Sequence, residues 1–309
     1  MRRALATALG ALTLTAPATA AATDAAPGFR LAGQATAPAQ ADSRYAAWPL
    51  ADGAVKVLDT STGRRKNHTA GTGCSFAALG SGRLLWKCGY GNEAEVRELA
   101  TGKVTRVRFT GGDSSTHFRA VGRHWFHVVV SGNHYGNLSS WVRIATGESR
   151  TSAQRQVAGE VEDLDSPGLY RPLCRPLRRE ADPSYEPDTI GNFGDPYLPY
   201  EYEAPYGAHV IGSGRQVLLD RCGRGDQRVI GTGTLDLQLS DGWVTWSKGL
   251  RVRGLRPADS RRFDWHLGGL AEQSDRLVRA AHTRRHLFAT TEPREHPGVW
   301  RVYAARLPR

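Results

Sequence analysis

Residues 180–207, EADPSYEPDTIGNFGDPYLPYEYEAPYG, concentrate the groups in this chain that could bind or react. Seven acids (Glu180, Asp182, Glu186, Asp188, Asp195, Glu201, Glu203) stand with no Lys or Arg among them. Tyr185, Phe193, Tyr197, Tyr200, Tyr202 and Tyr206 accompany them, and five prolines break any regular element. Tyrosine offers an apolar ring with a polar tip, which suits contact with protein or sugar. The stretch is therefore a candidate binding loop, carried by Tyr185, Asp188, Asp195, Tyr197, Tyr200 and Tyr202. The bland reading, a loop folded back onto the basic body to satisfy charge there, is the stronger of the two. Asp188, Asn192 and Asp195 match no Ca²⁺-loop spacing, so no metal site and no cofactor are assigned.

Four of the ten histidines, His117, His124, His127 and His134, fall close together. A hairpin centred on Gly122 would set His117 against His127, and two cross-strand imidazoles can ligate Zn²⁺ or Cu²⁺. No carboxylate sits at a matching spacing, so structural hydrogen bonding is the better account. Nucleophile patterns are missing: there is no Gly-x-Ser-x-Gly, His-Glu-x-x-His or P-loop. The expectation is a non-catalytic protein. The alternative is a hydrolase or lyase acting on glycans, with acids such as Asp188 or Asp195 near a central channel.

The N-terminus reads MRRALATALGALTLTAPATAAATD. Two arginines, a short apolar run and a small-x-small site predict a signal peptide over 1–22, then a linker over 23–38. No later segment reaches the 18 uninterrupted apolar residues of a membrane span. A secreted, soluble monomer is expected. Export makes the four cysteines a disulfide question. Cys74 and Cys88 lie seven residues either side of Ser81 in Gly80-Ser81-Gly82, so a hairpin closed there sets them face to face. Cys174 and Cys222 then pair by elimination. The net charge of +11, from 41 Lys and Arg against 30 Asp and Glu, would outside the cell suit anionic wall polymers, lipid headgroups or acidic glycans, although solubility through charge is the stronger account. No RNP-like motif, finger spacing or basic helix supports nucleic acid.

The elements that would position these groups repeat along the chain. A turn precedes each strongest apolar run: DSR at 42–44, GSGR at 80–83, VGRH at 121–124, SPG at 166–168, GSGR at 212–215, SDG at 240–242 and TRRH at 283–286. YAAW, LLW, WFHVVV, LYRPL, QVLL, WVTW and HLFAT follow. Further on come VKVLDTSTG (55–63), EVRELATG (95–102) and WVRIATG (141–147), alternating strands closed by a Thr-Gly turn. Units of about 40–46 residues with several short strands each predict an all-β fold, a β-propeller of six or seven blades over 39–309, with 180–207 as an insertion. One step, from Gly214 to Gly242, is 28 residues and too short for four strands. Either that unit lacks its outer strand or one mark is false. Trp48, Trp86, Trp125 and Trp246 are expected to pack between blades.

YAAWPLADGAVKVLDTSTGR and LLWKCGYGNEAEVRELATGK resemble blades of secreted bacterial propellers, the WD40-like and TolB-like group, whose outer strands often end in an Asp-Leu-x-Thr-Gly turn. The Trp-Asp and Gly-His pairs of true WD40 repeats are missing, so no subfamily is implied. The resemblance implies a central channel and two loop faces, and no particular activity.

Overall fold

The structure, a computed structural model, describes residues 28–131, 137–152, 160–162, 170–172, 200–203, 206–211, 216–221, 226–232, 237–267, 276–293 and 296–308. All regular structure among them is strand. In chain order the strands are β1 (Arg30–Ala35), β2 (Gln40–Ala41), β3 (Tyr45–Pro49), β4 (Val55–Asp59) and β5 (Arg65–His68). Next come β6 (Cys74–Gly80), β7 (Arg83–Cys88), β8 (Glu93–Glu98), β9 (Val104–Arg108), β10 (Thr116–Val121), β11 (Trp125–Ser131), β12 (Asn137–Arg143) and β13 (Ser149–Ser152). They continue with β14 (Glu160–Glu162), β15 (Tyr170–Pro172), β16 (Tyr200–Glu203), β17 (Tyr206–Ile211), β18 (Gln216–Arg221) and β19 (Asp226–Thr232). The last are β20 (Gln238–Ser240), β21 (Trp243–Lys248), β22 (Arg251–Arg256), β23 (Arg261–His266), β24 (Arg276–His282), β25 (His286–Glu292) and β26 (Trp300–Arg306).

Consecutive antiparallel strands form separate sheets: β2–β5, β6–β9, β10–β13, β14–β15, β16–β19 and β20–β23. The last sheet runs β24-β25-β26 and takes β1 as its outer strand, with Leu31 opposite Tyr303 and Ala35 opposite Trp300. Residues 30–35, expected as linker, are thus a strand that joins the two ends of the chain. The period-2 pattern there is weak, because β1 is buried on one side by the sheet it completes and not by its own apolar content.

The first strand of one sheet abuts the first strand of the next: β2 meets β6, β6 meets β10, β16 meets β20, β20 meets β24, and β24 meets β2. The sheets therefore stand around a ring, and the fold is a β-propeller. The β2–β5, β6–β9, β20–β23 and closing sheets each lie between two others, so both faces of their inner strands are apolar. In β3, Tyr45 and Ala47 pack towards Leu84 and Trp86 of the β6–β9 sheet. Ala46 and Trp48, on the other face, pack towards Phe288 and Val302 of the closing sheet. Trp48, Trp86 and Trp246 each occupy the fourth position of a second strand and pack against the preceding sheet, as expected. A buried Trp removes about 150–250 Å² from water, an upper estimate of roughly 5 kcal/mol at about 25 cal/mol/Å². Gly33 and Gly231 lie on outer strands over two of these indoles; a Cβ at Gly231 would come 2.8 Å from the Trp246 ring.

Polar side chains lock sheet to sheet. Gln40 accepts from the Leu79 amide (2.8 Å) and donates to the Ala77 carbonyl (3.0 Å). Gln238, at the same place relative to its turn, does so with His282 N (2.8 Å) and O (3.0 Å). Ser81 and Gly82, at φ 48° and 68°, make the two-residue turn of the β6–β7 hairpin, which favours glycine.

The 28-residue step is resolved by phase. GSGR at 212–215 joins β17 to β18, the second and third strands of its sheet, whereas the other marks in four-stranded sheets join the first to the second. The first hairpin there pairs Glu203 with Tyr206, and Tyr206 to Trp243, the first residues of two successive second strands, is 37 residues, an ordinary unit. Residues 200–203 and 206–207 of the expected insertion are accordingly part of a sheet.

Candidate functional site

Of the residues singled out in the acidic stretch, Tyr200 and Tyr202 stand on β16, opposite His209 and Gly207. They belong to a ladder and not to a loop, because the tyrosines alternate along an extended chain beside an apolar partner strand. Tyr185, Asp188, Asp195 and Tyr197 lie outside the described residues.

Cys74 and Cys88 are bonded to each other. The route to that pairing differs from the expected one. The turn centres between Ser81 and Gly82, and a bulge at Ala77 shifts the ladder by one residue, which brings Cys74 opposite Cys88. Cys174 and Cys222 lie outside the described residues.

The place of the turn separates the histidines. It centres between Arg123 and His124 and not on Gly122, so His127 faces Ala120, and beyond a bulge between Phe118 and Ala120 His117 faces Val129. The expected His117–His127 pair does not form. His127 stacks on Trp141 at 4.4 Å, and burial pushes its imidazole down to about 4. His134 lies outside the described residues. Among the described residues no three His, Cys, Asp or Glu side chains gather as metal ligands would.

Sequence reasoning missed His282. Its side chain is fully buried between the last two sheets. Nε2 lies 3.0 Å from the Ser240 carbonyl, which only accepts, so Nε2 carries the proton. Nδ1 then accepts from the Thr245 hydroxyl at 2.9 Å. Burial pushes this imidazole to about 4. The arrangement is a neutral, satisfied joint between sheets.

The described surface also holds a basic cleft of about 590 Å³ between the second and third sheets. It is lined by Arg83, Lys103, Arg106, Arg123 and Arg143 with one carboxylate, Glu98. His124, Val96, Val104, Thr105, Ile144 and Ala145 complete the lining. Three turns build it. The Thr-Gly turn after β8 is closed by Gly102 N to Glu98 O (2.8 Å) and presents Lys103. The same turn after β12 is closed by Gly147 N to Arg143 O (2.8 Å). The β10–β11 turn carries Arg123 and His124 at its tip and is tied to the previous one by Ile144 N to His124 O (2.8 Å).

The charges at one repeated place differ between the two walls of this cleft. At the end of the third strand, the first sheet has Asp59 and the second has Glu98, and each meets an arginine after the first turn. Arg44 lies 2.6 Å from Asp59, and Arg83 lies 3.1 Å from Glu98. The Arg44 guanidinium holds the Asp59 carboxyl well below the usual carboxylate range. In the third sheet these places are taken by Trp125 and Arg143, paired across the ladder, with the guanidinium 5.9 Å from the ring. Arginine stands at that ladder place in three other sheets too: Arg221 opposite Tyr206, Arg256 beside Trp243 and Arg306 opposite His286. Arg256 donates from Nε and Nη2 to Asp259, and the Asp259 carboxyl is pulled to about 2, chiefly by that bond. Arg143 has Glu148 only at 3.8 Å, and Glu148 bonds Arg150 at 3.2 Å. The signal was in the sequence: DTSTGR and ELATGK carry acid first and base last, and RIATGE reverses them.

No family model matches the chain, and no curated relative matches it. Solved structures do, with sequence identities that speak for the fold alone. The chain is similar to PorZ of Porphyromonas gingivalis, described as an essential bacterial surface component of a type-IX secretion system, at TM-score 0.51 and 10% identity. That match covers 91% of this chain and 39% of PorZ. It is similar to the β-propeller domain of Swd1 from Myceliophteria thermophila (TM-score 0.51, 9% identity, 89% of this chain and 98% of the other). It is also similar to a chain of the mitotic checkpoint complex (TM-score 0.52, 10% identity, 100% and 99%). These neighbours and the ring of sheets define the fold as a β-propeller, without a defined family.

Proposed function

We propose that this protein is an exported, non-catalytic β-propeller of seven blades, one per sheet, that binds an anionic polymer of the cell envelope. The observation that carries the reading is the basic cleft, where five cations meet one carboxylate on a rigid ring of sheets. A fold locked by buried inter-sheet hydrogen bonds and a disulfide presents fixed loops, which lowers the ordering cost of binding. The disulfide suits an oxidising compartment, and the leader-like N-terminus of the sequence agrees with export. PorZ, which shares the fold, is described as a bacterial surface component.

The test is retention of the mature protein on isolated cell envelopes across a salt series. Exposed charges are screened beyond about 8–10 Å at physiological salt, so retention should fall steeply as salt rises. Retention that is flat from low to high salt would overturn the electrostatic reading. Shortening of the envelope polymer during the incubation would overturn the non-catalytic one.

A further inference from the structure

We infer that the cleft between the second and third sheets holds an anionic polysaccharide, a linear chain of sugar or polyol units bearing carboxylate or phosphate groups. Its anionic groups would lie on Lys103, Arg106, Arg123 and Arg143, and its C–H faces on Val104 and Ile144. The inference rests on the reading of the protein as an envelope-binding propeller, and adds the place and the chemistry.

Three observations converge. The second sheet has an acid, Glu98, where the third has Arg143, so an acid–arginine pair on one wall of the cleft meets an arginine on the other. Arg221, Arg256 and Arg306 stand at the same ladder place in three other sheets; Asp259 holds Arg256 closely, whereas Arg143 has a distant, shared Glu148. The side chain of Arg143 is 48% exposed and that of Arg106 is 79% exposed, so both guanidinium planes can reach a ligand, and such planes match carboxylate and phosphate oxygens. The floor is apolar: Val104 is 42% exposed and Ile144 packs against the core between these sheets. A basic rim over an apolar floor fits a polymer with charged groups on a carbon framework better than a lone inorganic ion. The lining contains no Phe, Tyr or Trp, and Trp125 is buried beneath Arg143, so a stacking platform for nucleobases is not part of this cleft.

The experiment measures binding of the mature chain to three fluorescent probes: polygalacturonate, poly(glycerol phosphate) and a DNA duplex of matched charge. Lys103→Glu with Arg123→Glu reverses two exposed cleft charges. Arg64→Glu with Arg262→Glu makes the same change in net charge on other sheets. Binding of one or both polysaccharide probes should weaken about tenfold or more in the cleft variant and less than about threefold in the control. Which probe responds tells carboxylate from phosphate. Equal losses in the two variants would overturn the cleft as the site and leave the envelope-binding reading standing. No binding of either polymer by the wild type would overturn both. DNA bound as tightly as the polymers, and lost with them in the cleft variant, would overturn the polysaccharide class. If the Glu variant fails to melt as the wild type does, Lys103→Gln with Arg123→Gln is judged by the same criteria.

Discussion

Acidification should unfold this protein partly through one residue. His282 has its imidazole at about 4 in the fold against 6.5 in an unstructured chain, because burial disfavours the charged ring. Below pH 6.5 the unfolded chain takes a proton on this histidine that the folded chain refuses. Its contribution is therefore fully present above pH 6.5 and is lost as pH falls towards 4. A depression of roughly 2.5 units corresponds to about 3 kcal/mol, accumulated at about 1.4 kcal/mol per pH unit for one proton. His68, His127 and His286 are depressed in the same direction, again chiefly by burial, and steepen the whole profile. The assay is urea unfolding at intervals from pH 7 to pH 4.5 for the wild type and for His282→Gln. At pH 7 the variant should be less stable by about 1–3 kcal/mol, the cost of unpairing the Thr245 hydroxyl and the Ser240 carbonyl. The gap should narrow by about 2 kcal/mol or more by pH 4.5, because only the wild type has a proton to take up at this site. Parallel stability curves for the two proteins would refute the argument, and would mean that His282 is charged in the fold or reached by solvent.

Cys88→Ser should lower stability by up to about 3 kcal/mol in denaturant melts and expose Cys74 to thiol reagents, since the bridge closes a loop of sequence separation 14. Deleting residues 28–37 removes the outer strand that pairs with β26; a fall in melting temperature of about 10 °C is expected, since 1 kcal/mol is worth about 2–4 °C in a domain of this order of size, and an unchanged melt would mean that the ring closes without β1. Gly254→Ala places a Cβ 2.1 Å from the Phe263 ring, which is stacked on Trp265, and should cost about 1–3 kcal/mol by calorimetry.

The repeat was legible because its physics is local. Short apolar strands between Gly, Ser and Asp turns report hairpins directly, and burial on both faces makes their second strands near-continuous apolar runs, as in Tyr45–Pro49 and Trp243–Lys248. What is not local was not legible. The bulge at Ala77 comes from ladder geometry and brought Cys74 to Cys88, and the length of the β10–β11 turn, centred between Arg123 and His124, set His127 opposite Ala120 and away from His117. The phase of the β16–β19 sheet was hidden because its first strand, YEYE, is acidic and flanked by prolines, so the stronger GSGR turn one hairpin later stood out as the mark. The N-terminal strand was hidden because its partner lies at the far end of the chain. The cleft was hidden because a charge excess there depends on which turn tips are neighbours.

The two kinds of position in this repeat carry unequal costs, and that separates architecture from recognition. A change at Trp48, Gln40 or His282 disturbs a buried contact between sheets and costs kilocalories wherever it occurs. A change at the turn tips exchanges exposed charges, each worth about 0–1 kcal/mol to stability. The ring can therefore tolerate Asp59, Glu98 and Arg143 at one repeated place while its hydrogen-bonded turns stay the same: Gly63, Gly102 and Gly147 all close on the carbonyl four residues earlier, at 2.8 Å. An exchange of charge at this place changes the fold little, and it changes the local field wherever no neighbouring acid makes up for it. In the β20–β23 sheet Asp259 makes up for it. Between the second and third sheets Glu98 holds Arg83 and Glu95 lies 3.6 Å from Arg106, whereas Arg143 has Glu148 only at 3.8 Å; the cluster of cations is set beside Val104 and Ile144, where a ligand has room to reach it.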